Sequence, residues 1–256
     1  MKKALSILAA FILLPCIVSC GNPTTPDEIP VNEIPMYGSA PLTDQIKKLN
    51  EAFVKNIPKD VGGREAATKA AIKLAWQYFY NGDSQTAMKR FNQAWLLNPN
   101  NAEVFYGFGF LLSIQRNIDE AIPMYEKALK IDPNHPMALA NLARCYVEKA
   151  YALYLSKRLE YPDAEVKNIL KEALALYEKA ARSATSDSEL RLTDLDSDLI
   201  YIYYQWATAL ELNGEYAKAW DKIKLSRKHG GDRLIKPGFI EELSSFMPEP
   251  KAKYSK

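Results

Sequence analysis

Catalysis needs nucleophiles, metal ligands or paired acids, and this chain offers few of them. Its cysteines are Cys16, Cys20 and Cys145, and its histidines are His135 and His229. Cys16 and Cys20 stand four apart within "PCIVSCGNP", a spacing that raises a thiolate metal site or a disulfide. "DLDSD" at 194–198 has the alternating acids that open a calcium loop, but Leu199 replaces the glycine of the turn and Gln205 the bidentate glutamate. Acids ahead of a helix read more simply as caps favoured by its dipole. "GFGF" at 107–110 has the glycines of a nucleotide loop, yet no strand precedes it. HExxH, CxxC and GxxxxGK[ST] do not occur. Each histidine sits beside Pro or Gly at an expected helix end, where it serves as a cap or lies exposed. The chain is therefore read as not an enzyme, with no catalytic set, no metal site and no cofactor.

The two early cysteines have a different explanation. Lys2 and Lys3 make a cationic start, "ALSILAAFILL" is an uncharged apolar run of 11 residues, and Ser19 puts a small side chain just before Cys20. Ile17, Val18, Ser19 and Cys20 resemble the lipobox of bacterial lipoproteins. The resemblance implies that residues 1–19 are a signal peptide removed together with Cys16, and that Cys20 becomes a lipid-modified amino terminus held on a membrane by its acyl chains. A spanning helix suits the sequence less well, because the apolar run is shorter than the ~20 residues such a helix needs. In the enteric sorting rule an aspartate after the lipid cysteine keeps the protein at the inner membrane; Gly21 stands there and favours the outer membrane, facing the periplasm. Cys145, in "LANLARCYVEKA", is then left without a cysteine to bridge within the chain and reads as a buried small hydrophobe. With Lys2 and Lys3 set aside, 31 basic residues balance 31 acidic ones, so no net positive charge draws the mature chain to nucleic acid.

Whatever acts beyond the anchor must be positioned by the rest of the chain. Residues 20–41 carry prolines at 23, 26, 30, 35 and 41, a density that reads as an extended, solvated tether. In 42–67, Leu42, Ile46, Leu49, Phe53 and Ile57 recur at helical spacing before Pro58 and the Gly62–Gly63 pair end the pattern. Beyond that the chain reads as helical almost to its end, with no alternating run long enough for a strand.

A self-match then appears at a fixed period. "AMKRFNQAWLLNPNN" aligns with "AIPMYEKALKIDPNH", which places Ala87/Ala121, Phe91/Tyr125, Ala94/Ala128 and Pro99/Pro133 34 residues apart. Together with Leu74, Ala75, Tyr78 and Gly82 in one unit and Phe105, Phe108, Gly109 and Leu112 in the next, this resembles the tetratricopeptide repeat (TPR). The resemblance implies an all-α TPR solenoid over 68–231, of about four helix–turn–helix units. In the third unit Ala173, Tyr177 and Ala180 come 18 residues late, so its hairpin is expected to be elongated by about nine residues per helix and to project past its neighbours. The fourth departs from the pattern at Ile223, Ser226 and Gly231, as a terminal unit can. Residues 232–256 are read as a capping helix and tail, with Leu234, Ile235, Phe239, Ile240, Leu243 and Phe246 as its apolar stripe.

TPR proteins hold extended peptides or partner helices on a concave groove. Carried over one at a time, the groove positions are Lys69, Ile72, Lys73, Trp76, Phe79 and Tyr80, then Glu103, Tyr106, Phe110 and Ile114, then Asn141, Arg144 and Glu148, and finally Tyr201, Tyr204, Gln205, Thr208 and Glu211. Aromatics dominate binding hot spots. Tyr106, Tyr201 and Tyr204 are expected on an open surface, whereas helix 42–57 could lie over Trp76 and Phe79. The lysines and asparagines of carboxylate-clamp TPR domains are replaced here by Ile72, Trp76, Gly107 and Met137, so a ligand is expected to be held by apolar and aromatic contacts. The whole resembles in plan the TPR lipoproteins that act as pilotins or outer-membrane assembly factors. It implies a membrane-anchored scaffold that binds another envelope protein, its oligomeric state left open. The alternatives are a small-molecule or glycan binder using Trp76, Tyr106 and Tyr204 as a platform, and an envelope hydrolase with converging carboxylates.

Overall fold

The computed structural model describes residues 30–38, 42–56, 63–186 and 195–250. The described chain is all-α, with no strand among those residues. Ten α-helices follow in order: α1 (Asp44–Lys55), α2 (Gly63–Tyr80), α3 (Ser84–Leu97), α4 (Ala102–Ile114), α5 (Ile118–Ile131), α6 (Pro136–Ser156), α7 (Ala164–Ser186), α8 (Leu195–Leu212), α9 (Tyr216–Lys228) and α10 (Pro237–Phe246). Helices α2 to α9 form four consecutive hairpins. Two compact units meet in sequence at Pro133/Asn134, with α1–α5 in the first and α6–α10 in the second. The lipobox and Cys20 lie outside the described residues.

The helices start where short polar side chains satisfy the free amides of a first turn. Thr43, Asp83, Asn101, His135 and Asp163 accept from the amides of Ile46, Thr86, Val104, Ala138 and Val166, at 2.8–3.3 Å. His135 is thus the cap expected of it. Asp196 and Asp198, of the calcium-like run, lie in the first turn of α8.

The turn inside each hairpin repeats one hydrogen-bond pattern. The amides of Asp83, Asn117, Leu159 and Glu215 each reach back five residues, to the carbonyls of Tyr78, Leu112, Tyr154 and Leu210, at 2.8–3.3 Å. The preceding residue is left-handed every time: Gly82 (φ 84), Arg116 (φ 70), Arg158 (φ 52) and Gly214 (φ 79). This is a Schellman end, and it reverses the chain within a few residues.

Small residues let the paired helices approach, and aromatics fill the space beside them. Ala87, Phe91 and Ala94 in the first hairpin, Ala121, Tyr125 and Ala128 in the second, and Ala173, Tyr177 and Ala180 in the third are all buried. In the fourth, Ala219, Ile223 and Ser226 take the same places, equally buried, and the Ser226 hydroxyl donates to the Ile200 carbonyl at 3.2 Å. The third hairpin is elongated, but unequally. Helix α7 has 23 residues against 14, 14 and 13 in α3, α5 and α9, whereas α6 has 21 against 18, 13 and 18 in α2, α4 and α8, so the added length falls mainly on the second helix and not evenly on both. At 1.5 Å per residue the two helices run to roughly 32–35 Å.

Two further expectations need correction. The tether predicted over 20–41 does not hang free in its described part. Val31–Glu33 and Pro35–Tyr37 form two 3-10 turns against α3. Fully buried Asn92 donates to the carbonyls of Asn32 (2.9 Å) and Ile34 (2.8 Å), and its oxygen accepts from the Met36 amide at 2.7 Å. Lys89 pairs with Glu33 at 2.9 Å, and Tyr37 is buried beside Trp95. Proline density argues against helix and sheet, but it does not oppose a strap whose backbone is bonded by another helix's side chain. In the cap, Phe239, Leu243 and Ile235 are buried on α8 and α9, yet two residues of the expected stripe lie at its ends in solvent: Leu234 is 59% exposed and Phe246 46%.

Candidate functional site

In the first unit an aromatic bank forms on α2 and α4. The Trp76 ring lies 5.2 Å from Phe91, 5.3 Å from Phe110 and 5.6 Å from Tyr106, and Phe79 meets Phe110 edge-on at 5.0 Å. The edge-on pairs set a ring's positive rim against a neighbour's negative face. The Trp76 indole N–H donates to Glu103 at 2.8 Å, which fixes the ring across the two helices. Tyr80 closes the bank at 72% exposure, and Trp76, Phe79 and Phe110 are half-buried. Lys73 and Lys69 are exposed one and two turns earlier on the same helix, the latter paired with Glu65 at 2.8 Å. The result is an apolar ledge with a basic rim.

Helix α1 does not cover it. Leu49, Ala52 and Phe53 line a cleft of about 500 Å³ with Ala67, Ala70, Ala71 and Leu74. At 100° per residue those α2 positions lie opposite Trp76 and Tyr80.

Several expected groove residues are not open. Tyr106 is 7% exposed, sealed beneath Trp76, Phe110 and Tyr125. In the second unit Asn141 is buried: its amide donates to the Met137 carbonyl at 2.9 Å and its oxygen accepts from the Tyr201 hydroxyl at 3.0 Å. Tyr201 is thereby committed to an internal bond, and burial raises its hydroxyl pKa. Arg144 pairs with Glu148 one turn on. Tyr204 is set edge-on to Phe239 of the cap at 5.6 Å, and Gln205 is half-buried. The correction has one cause: the family positions face the groove in a regular array, but here large side chains at them turn into the seams between neighbouring helices. The platform of Trp76, Tyr106 and Tyr204 is not presented as three open rings.

Cys145 is fully buried, and burial pushes its thiol up to about 11. Among the described residues, no three His, Cys, Asp or Glu side chains gather as metal ligands, and no helix is long and apolar enough to cross a membrane. Sequence reading missed the acidic partner of Glu211. Burial, with Glu242 adding to it, lifts the Glu211 carboxyl to about 8, and burial lifts Glu242 to about 7. A glutamate within the apolar stripe of the cap was the available signal.

Comparison with known proteins agrees with this architecture. Residues 112–150 match the family model described as tetratricopeptide repeat. The protein adenylyltransferases Fic of Drosophila mojavensis and Drosophila willistoni are 31% and 34% identical over 110 residues, which are 40% of this chain and 22% of each of theirs. The chain therefore spans under a quarter of the length of these curated relatives. A thermophilic TPR protein of Thermus thermophilus superposes with a TM-score of 0.54 at 20% identity, over 71% of this chain and 84% of that one. Pseudomonas aeruginosa PilF gives 0.51 at 17% identity, over 72% and 68%. The hairpins, their turns and these superpositions agree: the chain has the fold of tetratricopeptide-repeat proteins.

Proposed function

We propose that this protein is a lipid-anchored adaptor of the bacterial cell envelope, attached through Cys20 to the outer membrane on its periplasmic side. It holds a peptide or helix of another envelope protein against the aromatic ledge of α2 and α4. The observation that carries this reading is the ledge itself: exposed Tyr80 beside half-buried Trp76, Phe79 and Phe110, rimmed by Lys69 and Lys73. Large rings with little rotamer freedom, partly dry and partly open, are what binding hot spots are made of. The docked strap supports close attachment, since the ten residues from Cys20 to Pro30 span at most ~36 Å. Adenylyl transfer stays with the Drosophila proteins named for it, whose chains are matched over 22% of their length.

The test is photo-crosslinking in native membranes with benzoylphenylalanine at position 80. A discrete adduct is expected, lost when Lys73→Glu and Phe79→Ala are added. Absence of any adduct, or the same adduct in the altered chain, rejects the ledge. Anchoring is tested separately with Cys20→Ser, which is expected to leave the membrane fraction. Incubation of the captured pair with labelled ATP is expected to transfer no label.

A further inference from the structure

Under the carboxyl-terminal cap, two acids share an apolar interior. Glu211, at the end of α8, is 5% exposed, and neither of its carboxylate oxygens has a hydrogen-bonding partner. Glu242, in the middle of α10, is 8% exposed, and its Oε2 has none. The buried Tyr151 hydroxyl of α6 is likewise unpartnered and feels the field of Glu242. The other titratable groups facing this interior are Tyr204 of α8, bonded to the Lys236 backbone, and Tyr216 of α9, both within the field of Glu211. Tyr154 of α6 and Tyr161, after that helix, act in turn on Tyr216. Among the described residues no cation offsets either carboxyl.

Ionised carboxylates without a counterion or donor are costly to bury, and two of them repel. The cap is otherwise held by Phe239, Leu243 and Ile235 packing on Leu210, Trp220 and Ile223, by the Trp220 indole donating to the Met247 carbonyl at 2.8 Å, and by an exposed ion pair of Arg227 with Glu249 at 2.7 Å beyond the helix. We infer that Glu211 and Glu242 are a proton-operated latch on α10: protonated, they let the helix seat on α8 and α9; ionised, they lift it and uncover Trp220. The direction follows from linkage. Both carboxyls are raised above the ordinary 4.5, so the docked state binds more protons than the released one. Docking is strongest below about pH 4.5 and weakens as pH rises, the loss being complete above about pH 8. Between those limits each ionising carboxyl changes the docking constant by up to ~10-fold per pH unit.

Trp220 reports the event, since it is fully buried under the cap. The full chain is labelled with 5-fluorotryptophan, and the Trp220 resonance is assigned by its loss in Trp220→Phe. At pH 5.5 one docked signal is expected; between pH 6.5 and 8.5 a solvent-exposed signal grows at least tenfold. In Glu211→Gln plus Glu242→Gln the docked signal persists over the whole range, with circular dichroism unchanged. If that pair does not fold, Glu242→Leu alone is expected to keep the helix seated. A wild-type Trp220 signal that stays constant from pH 5.5 to 8.5 overturns the latch without recourse to any variant, and so does a transition that survives in the substituted chains.

Discussion

The indole N–H of Trp76 donates to Glu103 across 2.8 Å, joining two helices whose residues are 27 apart in sequence. It makes Trp76 a fixed wall and not a swinging side chain. Trp76→Phe keeps an aromatic ring and removes the donor. Stability is expected to fall by about 1–2 kcal/mol, because a hydrogen bond to a charged acceptor is stronger than a neutral one. Glu103→Gln keeps an acceptor and is expected to cost less than about 1 kcal/mol. Urea midpoints of the two single variants and the double should reveal a coupling; strict additivity would mean that the bond adds nothing.

Gly107 is needed for packing. A Cβ built on it would stand 2.2 Å from Cε1 of Phe91, a fully buried ring on α3. Gly107→Ala is therefore expected to destabilise by about 1–3 kcal/mol through overpacking, and Phe91→Leu to recover part of that loss when combined with it. Thermal denaturation of the three chains checks this; equal melting temperatures for Gly107→Ala and wild type would refute the close approach.

The left-handed turn residues predict opposite signs for opposite substitutions. Arg158 holds φ 52 where Gly214 holds φ 79, and a Cβ on Gly214 would meet nothing within 4 Å. Gly214→Ala should thus lose about 1 kcal/mol for conformational reasons alone. Arg158→Gly should gain about 0.5 kcal/mol, the relief of the left-handed strain exceeding the added chain entropy. Guanidinium denaturation of both, compared with wild type, decides whether the two shifts differ in sign.

Asn92 holds the strap through three backbone bonds. Asn92→Ala is expected to release residues 31–37 and cost about 2 kcal/mol or more. Hydrogen exchange should show the Met36 amide losing its protection while α4 and α5 keep theirs. Unchanged protection at Met36 would show that Tyr37 and Glu33 suffice.

Cys145 should be inert. With its thiol pushed up to about 11 by burial, it is protonated at pH 8 and shielded from reagent. In a chain carrying Cys16→Ser and Cys20→Ser, maleimide is expected to label it only in denaturant. Labelling of the native chain within minutes would contradict the buried placement.

Much of the fold was legible because it is periodic. Ala87, Phe91 and Ala94 recur 34 residues on as Ala121, Tyr125 and Ala128, and each set is buried where two helices cross. The late Ala173 likewise announced an elongated hairpin, though not its unequal helices of 21 and 23 residues, because inserted residues that keep helical spacing can only lengthen the hairpin. The strap was not legible. Proline at 30 and 35 reads as extended chain, and nothing near it in sequence says that Asn92, about 60 residues away, will bond its backbone.

The sequence by itself determined the helices, their pairing into hairpins and the small residues at their crossings, since all of these follow from local spacing and the size of side chains. Only the tertiary structure decided which large side chains stay open. Tyr80 and Tyr106 both sit at groove positions of the repeat, yet one is 72% exposed and the other 7%. Whether a ring meets solvent depends on what the neighbouring helix places against it, and for Tyr106 that is the combined surface of Trp76, Phe110 and Tyr125. The same holds for Glu211 and Glu242: each is an ordinary acid in its own helix, and their shared burial exists only once α10 has packed on α8.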